Sequence, residues 1–320
     1  MDPLDDYLSG LRARGALFAR SICAPPWSMR FSEPAPLTLA TMLRGAAWIV
    51  PAEGRPVRLG EGDVVLLRGT RPFTVADRPG VPPRVVIDGN DLCRGTDEAP
   101  AAAGDHFRLG TRTYGFSADG PDVLVTAAYR ARGAVCGRLL EVLPEVAVVR
   151  REPEFAPLAD LIAGEIVLDE PGQQTVLDRL LDLLLVRVLR SWFGRPEARP
   201  PAGYHALGDP RIGHVLRLLH RRPARPWTVA TLAAEAGMSR AAFARRFTAL
   251  VGRPPLGYLT DWRMALAADL LRESAATVAE VARQVGYTDP FTFSAAFKRV
   301  RGTAPSALRR DRADIPSAVR

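Results

Sequence analysis

Two arginines, Arg240 and Arg245, share a stretch with alanines at 241 and 244. A guanidinium is a planar fork of N–H donors that matches the O6/N7 edge of guanine or a phosphate group. Small neighbours let the backbone beside it come close to a surface. Ser239 precedes the stretch as a helix N-cap. Phe243 and Phe247, one helical turn apart, mark the side that must face a core. The outward face is then Arg240, Ala241, Ala244, Arg245 and Thr248. Arg246 lies nearer the core edge and suits a phosphate rather than a base.

The elements needed to hold such a face occur twice. Thr228 and Thr277 each open a short helix, with Val229, Leu232, Ala233 and Ala236 apolar in one copy and Val278, Val281, Ala282 and Val285 in the other. Gly237 and Gly286 supply the turns, and Phe293 and Phe297 repeat the aromatic pair. Each copy closes on Gly-x-x-Pro, at 252–255 and 302–305. This pattern predicts two helix-turn-helix units in tandem, the second helix of each shaped for the DNA major groove. In the second copy Asp289 caps, with Pro290 at the first helical position. Its outward face offers Phe291, Thr292 and Ala295, suited to thymine methyls, and Lys298 and Arg299, suited to phosphate. The first copy is therefore expected to carry more of the sequence discrimination. A helix over most of 255–271 would set the spacing of the two copies, against the ~34 Å between successive major grooves on one DNA face.

Charge follows the same division. From residue 205 onward the chain holds 19 basic and 9 acidic residues, a net of +10, against +8 for all 320 residues. A basic module on a slightly acidic body fits a polyanionic partner. The most apolar stretch, 176–193, is broken by Asp178, Arg179, Asp182, Arg187 and Arg190, which argues against a membrane span. The amino terminus has no signal-peptide pattern. Three cysteines without a CxxC pair and four scattered histidines predict no metal, no cofactor and a cytoplasmic setting.

Residues 37–129 read as short strands broken by glycine and proline: 37–50, 57–67, 84–88, 107–116 and 122–129. A barrel or sandwich follows. Helices are expected over 154–168 and 173–192. The second has an apolar stripe wider than one buried side requires, as a helix pairing with a second subunit would. The expected class is α+β: a barrel over 1–150, a helical dimerisation segment over 151–193, a linker over 194–208, and an all-α tandem helix-turn-helix domain over 209–312.

The stretch 209–309 resembles the AraC/XylS family of transcription regulators. The likeness rests on Trp262-Arg263-Met264-Ala265 with Leu270-Leu271, then Val281-Ala282, Gly286-Tyr287, Phe293-Ser294, Phe297-Lys298-Arg299, Gly302 and Pro305. It implies two DNA-reading subdomains joined by a long helix, a separate sensor, and double-stranded promoter DNA and RNA polymerase as partners of a homodimer. The chain departs from the family at Pro290, Phe291 and Ala295, where polar or basic residues are common; this again weakens base reading by the second unit. Residues 59–73 resemble a cupin strand-turn-strand segment. Phe73 stands where enzymatic cupins often place a histidine, and no His-x-His occurs. The competing reading, a metal-dependent cupin enzyme with a helical appendage, thus lacks its usual ligands, and no other catalytic machinery is visible.

Two kinds of signal fit the sensor. A small organic molecule would need an apolar pocket, with Trp27, Met29, Phe31, Met42 and Trp48 as candidate lining; ordinary core packing would use the same residues. An oxidant would need a reactive thiol pair. Cys23 and Cys93 lie in expected loops, with Arg94 beside Cys93 to favour the thiolate; two inert thiols are the alternative. Cys136 reads as packing.

Overall fold

Strands that are apolar on both sides of the pleat must be covered on both faces, and two such strands organise the first half of the chain. The computed structural model describes residues 3–12, 19–88, 93–95, 107–131 and 133–313. It divides into two compact units, one of 11–131 with 143–199, the other of 1–10, 132–142 and 200–320.

In the first unit the strands are β1 (Leu11–Arg12), β2 (Ala19–Cys23), β3 (Ser28–Phe31), β4 (Leu37–Arg44), β5 (Ala47–Pro51), β6 (Val57–Leu59), β7 (Val64–Arg68), β8 (Phe73–Ala76), β9 (Val85–Ile87), β10 (Cys93–Gly95), β11 (Arg108–Gly110), β12 (Thr113–Gly115), β13 (Asp122–Ala131) and β14 (Val146–Val149). One sheet runs β11-β12-β2-β13-β4-β7-β14, with β1 also on β13; the other runs β10-β9-β3-β8-β5-β6. Pairing is antiparallel except for β12 with β2 and β3 with β9. Among the described strands hydrogen bonds stay within each sheet, so the expected barrel takes the double-sheet form. The expected single strand over 37–50 is two, β4 and β5, which turn at Gly45 and enter different sheets. The stretch 57–67 likewise divides into β6 and β7.

Among the described residues a buried core lies between the sheets. Trp27, Met29, Met42, Ile49, Val65, Val75 and Leu124 share one buried core. Period-2 alternation sends the other side chains of the central strands outward, where Leu37, Leu39, Val125, Ala127 and Tyr129 are also buried. Helices α3 (Ala156–Ile166) and α4 (Gln173–Phe193) belong to this unit. They lie close to the spans expected from periodicity. Tyr129 donates its hydroxyl hydrogen to the Leu181 carbonyl of α4 at 2.9 Å. The Gln173 amide donates to the Glu165 and Ile166 carbonyls at 2.8 and 3.2 Å, tying the end of α3 to the start of α4.

The second unit holds α1 (Pro3–Leu8), α2 (Gly133–Val142), α5 (Pro210–Arg221), α6 (Val229–Glu235), α7 (Arg240–Val251), α8 (Pro255–Glu273), α9 (Val278–Gln284), α10 (Pro290–Arg301) and α11 (Pro305–Ala313). This division departs from a boundary at residue 150, because α1 and α2 are built into the helical unit. Asp269 of α8 caps α2, accepting from the Ala134 and Val135 N–H groups, the latter at 3.1 Å. Arg138 donates to the Asp261 carbonyl at 2.6 Å. Asp6 of α1 lies 2.6 Å from His220 Nδ1 on α5. These partners are far apart in sequence, so no local pattern announces them. Among the described residues no helix is long and apolar enough to cross a membrane.

Candidate nucleic-acid interface

Each helix-turn-helix is fixed by caps, one turn and two aromatic anchors. At α6, Thr228 and Thr231 form a reciprocal capping box, with the Thr231 N–H 3.1 Å from Thr228 Oγ1. At α9, Thr277 and Glu280 do the same, at 3.2 Å. Ser239 accepts from the Ala242 N–H to cap α7 at 3.3 Å. Asp289 accepts from the Phe291 and Thr292 N–H groups to cap α10, at 3.1 and 2.7 Å. Phe243, Phe247, Phe293 and Phe297 are fully buried, so each reading helix can turn only one side outward.

On α7 that side is Arg240, Ala241, Arg245 and Thr248, all exposed, with Ala244 half-buried. Among the described residues neither Arg240 nor Arg245 has a hydrogen-bond or ion-pair partner. Arg246 differs. Its Nε donates to Asp209 Oδ2 at 3.0 Å, and its Nη2 pairs with the same oxygen. Asp209 is also the N-cap of α5, accepting from Arg211 and Ile212 at 3.0 and 2.9 Å. Burial alone would raise the Asp209 carboxyl; the Ile212 N–H, the Arg246 guanidinium and the Arg211 N–H together hold it below the usual carboxylate range. Arg246 thus fastens α7 to α5, a role the sequence reading did not assign it.

On α10 the exposed residues are Phe291, Thr292, Ala295, Lys298 and Arg299. Phe291 is 85% exposed at the helix start. The Thr292 hydroxyl turns back onto Asp289, which leaves it committed to the cap. Helix α8 connects the two helix-turn-helix motifs; at 1.5 Å per residue its 19 residues span about 28 Å. Arg263 on α8 donates to the Pro223 and Arg225 carbonyls, each at 2.8 Å, and lies 5.7 Å from the Tyr287 ring. One guanidinium therefore touches the approach to the first helix-turn-helix and the turn of the second. Sequence reasoning used Arg263 only as a family landmark.

The turn glycines are not equivalent. Gly286 has φ +86°, and a Cβ there would lie 2.6 Å from the Ala224 carbonyl oxygen and 2.8 Å from Arg263 Nη2. Gly237 has φ +59° with open space around it. Gly286→Ala is expected to cost about 1–3 kcal/mol and Gly237→Ala about 1 kcal/mol. Urea unfolding of the two variants checks this; equal losses would show that backbone conformation alone sets the cost.

The sensor candidates sit as follows. Trp27, Met29 and Met42 are in the inter-sheet core, and Phe31 packs against it, stacked on Phe73 at 4.6 Å. The Trp27 indole donates to Asp122 at 2.8 Å. Trp48 is half-buried on β5. Cys23 ends β2 and is buried in the same core, not in a loop. Burial first, then the Asp122 charge, push its thiol up to about 12. Its thiolate fraction near neutral pH is accordingly very small, contrary to what a redox switch needs. The backbone of Cys93, the first residue of β10 and not a loop residue, pairs with Ile87 of β9; its side chain lies outside the described residues. Native Cys23 is expected to react with iodoacetamide near neutral pH roughly three orders of magnitude more slowly than an ordinary exposed thiol. Modification of Cys23 at an ordinary rate, read by peptide mass spectrometry, would contradict this.

Paired reading helices on a basic all-α unit, joined to a double-sheet unit, define a DNA-binding regulator with a cupin-type domain. A family pattern described as cupin matches residues 2–194, and one described as a helix-turn-helix domain matches 232–311. A putative AraC-like transcription regulator of Streptomyces lividans is 34% identical over 97% of this chain and 98% of its own. A putative AraC-like regulator of Streptomyces antibioticus is 34% identical over 97% and 99%. The chain belongs to the AraC family of DNA-binding transcription regulators. It is 31% identical, over 43% of its length and 49% of the other, to the RCS-specific transcriptional activator RclR of Escherichia coli. Among solved structures, the DNA-binding domain of AdpA in complex with a target DNA is 37% identical, covering 35% of this chain and all of that one, with a TM-score of 0.33. Full-length relatives that are regulators speak against the cupin enzyme considered above.

Proposed function

We propose that α7 and α10 enter two successive major grooves of promoter DNA, with α7 reading bases and α10 mainly supporting the register. The observation that carries this is the contrast between the two outward faces. Arg240 and Arg245 are exposed and unpaired among the described residues, whereas α10 presents Phe291, a cap-bound Thr292 and Ala295. The ~28 Å of α8 suits sites about one DNA turn apart. Two copies pair through α3 and α4, where Leu161, Val176 and Leu183 are exposed apolar residues. The sheet unit receives the signal and the protein acts in the cytoplasm with RNA polymerase. A small molecule is favoured over an oxidant, since the Cys23 thiol is buried and protonated. Selection of bound DNA from a random pool tests the reading: the α7 half-site is expected to hold most of the fixed bases. Two equally specific half-sites would overturn it.

A further inference from the structure

The outer face of the eight-stranded sheet does not close completely against α3 and α4, and the space left there has a definite chemistry. It is a cavity of about 350 Å³ within the sheet unit, inside the range of small-ligand sites, roughly 300–1,000 Å³. Its roof exists because α3 turns a stripe of small residues, Ala156, Ala159 and Ala163, toward the sheet, beside Leu184 of α4. Larger side chains on that stripe would occupy the space. Val64 and Val123 line it from the sheet.

The polar groups are cationic where the cavity meets β2. Arg20 lies on the outward side of β2, opposite in register to Val125 of β13. Its Nε–H is buried and has no acceptor. An orphaned donor of this kind is destabilising unless something accepts from it. Among the described residues no carboxylate pairs with Arg20. Arg44 also lines the cavity and is pinned by the Gly120 and Pro121 carbonyls at 2.6 and 3.1 Å, contacts that hold its guanidinium without cancelling its charge. Burial first, and then the like charge of Arg44, lower the Arg20 guanidinium from its ordinary value. The remaining charges lie at the exposed mouth, where Arg151 pairs with Glu61 at 3.5 Å and Asp160 faces solvent.

We propose that this cavity binds a small organic acid, its carboxylate on Arg20 and its apolar body beneath the α3 alanines. The carboxylate supplies the acceptor that Arg20 lacks and offsets the Arg20–Arg44 repulsion. An apolar body distinguishes the ligand from an inorganic anion, because alanine, valine and leucine side chains line much of the space. As an effector site it rests on the reading that the sheet unit is the sensor. The binding site would then lie directly beneath the helices that carry Leu161 and Leu183, so occupancy can move the proposed pairing face.

The test uses the full chain. Octanoate and benzoate are titrated by calorimetry, with octanamide, benzamide and inorganic phosphate as probes of charge and body. At least one acid is expected to bind at one site per chain with a Kd below about 1 mM, and its amide and phosphate are expected to bind at least tenfold more weakly. Arg20→Gln is expected to weaken the acid roughly tenfold or more. Ala159→Leu should abolish binding by filling the cavity, and thermal unfolding establishes that both variants are folded. No binding by either acid up to about 10 mM, phosphate binding as tightly as the acid, or wild-type binding by both variants overturns the proposal. A mobility shift with and without the acid separates the two claims. Binding with unchanged DNA affinity supports the site and refutes its role as the sensor input. Absence of acid binding, with DNA affinity still responsive to another added compound, refutes the site and leaves the sensor reading standing.

Discussion

His220→Ala is expected to destabilise the helical unit by about 3 kcal/mol and to release α1 from it. The His220 side chain is fully buried, with Nδ1 2.6 Å from Asp6 Oδ2 and Nε2 2.7 Å from the Tyr258 hydroxyl. Its ring stacks on Trp262 at 4.1 Å, and Tyr7 meets both rings edge-on at 6.4 and 6.2 Å. Truncation removes the ring contacts and leaves Asp6 facing a space with no partner. Leaving a buried hydrogen-bond partner unsatisfied typically costs about 1–3 kcal/mol, and the lost ring packing adds to it, which brings the total to about 3 kcal/mol. Asp6→Asn keeps the shape and removes the charge, so a double-mutant cycle with His220→Ala is expected to give a coupling of about 1–2 kcal/mol. Urea unfolding supplies the energies and hydrogen exchange the location: α1 amides should lose protection while α7 and α10 keep theirs. A loss below about 1 kcal/mol with α1 still protected would show that the network is not what holds that helix.

The second large effect is on DNA. Arg245→Ala is expected to lose about 1–3 kcal/mol of discrimination between the preferred site and a site altered at the contacted base. The argument is geometric. Phe243 and Phe247 fix the rotation of α7, and Arg245 is exposed without a competing partner among the described residues. Lys298→Ala on α10 is the contrast: binding should weaken on all sequences alike, and the salt slope should fall by about 1. Arg246→Ala should behave differently from both. Its guanidinium is held by Asp209, so the variant should lose stability at the α5–α7 junction before it loses any base preference. Mobility shifts on matched and altered sites, at several salt concentrations, separate the three. Uniform weakening by Arg245→Ala would make that residue a phosphate contact and remove the proposed reading face.

The helix-turn-helix pair was legible in the sequence because its determinants are local. A cap bonds three residues ahead, an aromatic pair recurs after one turn, and the turn glycines have positive φ, so Thr228, Ser239, Thr277, Asp289, Gly237, Gly286 and the four phenylalanines announced themselves. Helices α3 and α4 were legible for the same reason, through their period. The sheets were less so. Strands buried on both faces lose the polar alternation that marks register, and β4 and β5 ran together until the fold sent them to different sheets. Cys23 resembled a loop thiol because Ala24-Pro25-Pro26 follows it, whereas pairing with β13 turns it into the core.

By itself the sequence determined a doubled DNA-reading scaffold, a basic helical half and a half built of short strands, since each follows from spacing, composition or charge. Only the tertiary structure decided which arginines are free and which are committed. Arg245 and Arg246 are neighbours of one type, yet Asp209 takes one and leaves the other. It also decided that α1 and α2 belong with the helices that cap them or pair with them, and that a cavity opens on the outer face of the eight-stranded sheet. These outcomes depend on partners distant along the chain, and one residue's pattern of neighbours in sequence carries no information about who arrives from elsewhere to fill a cavity or satisfy a charge.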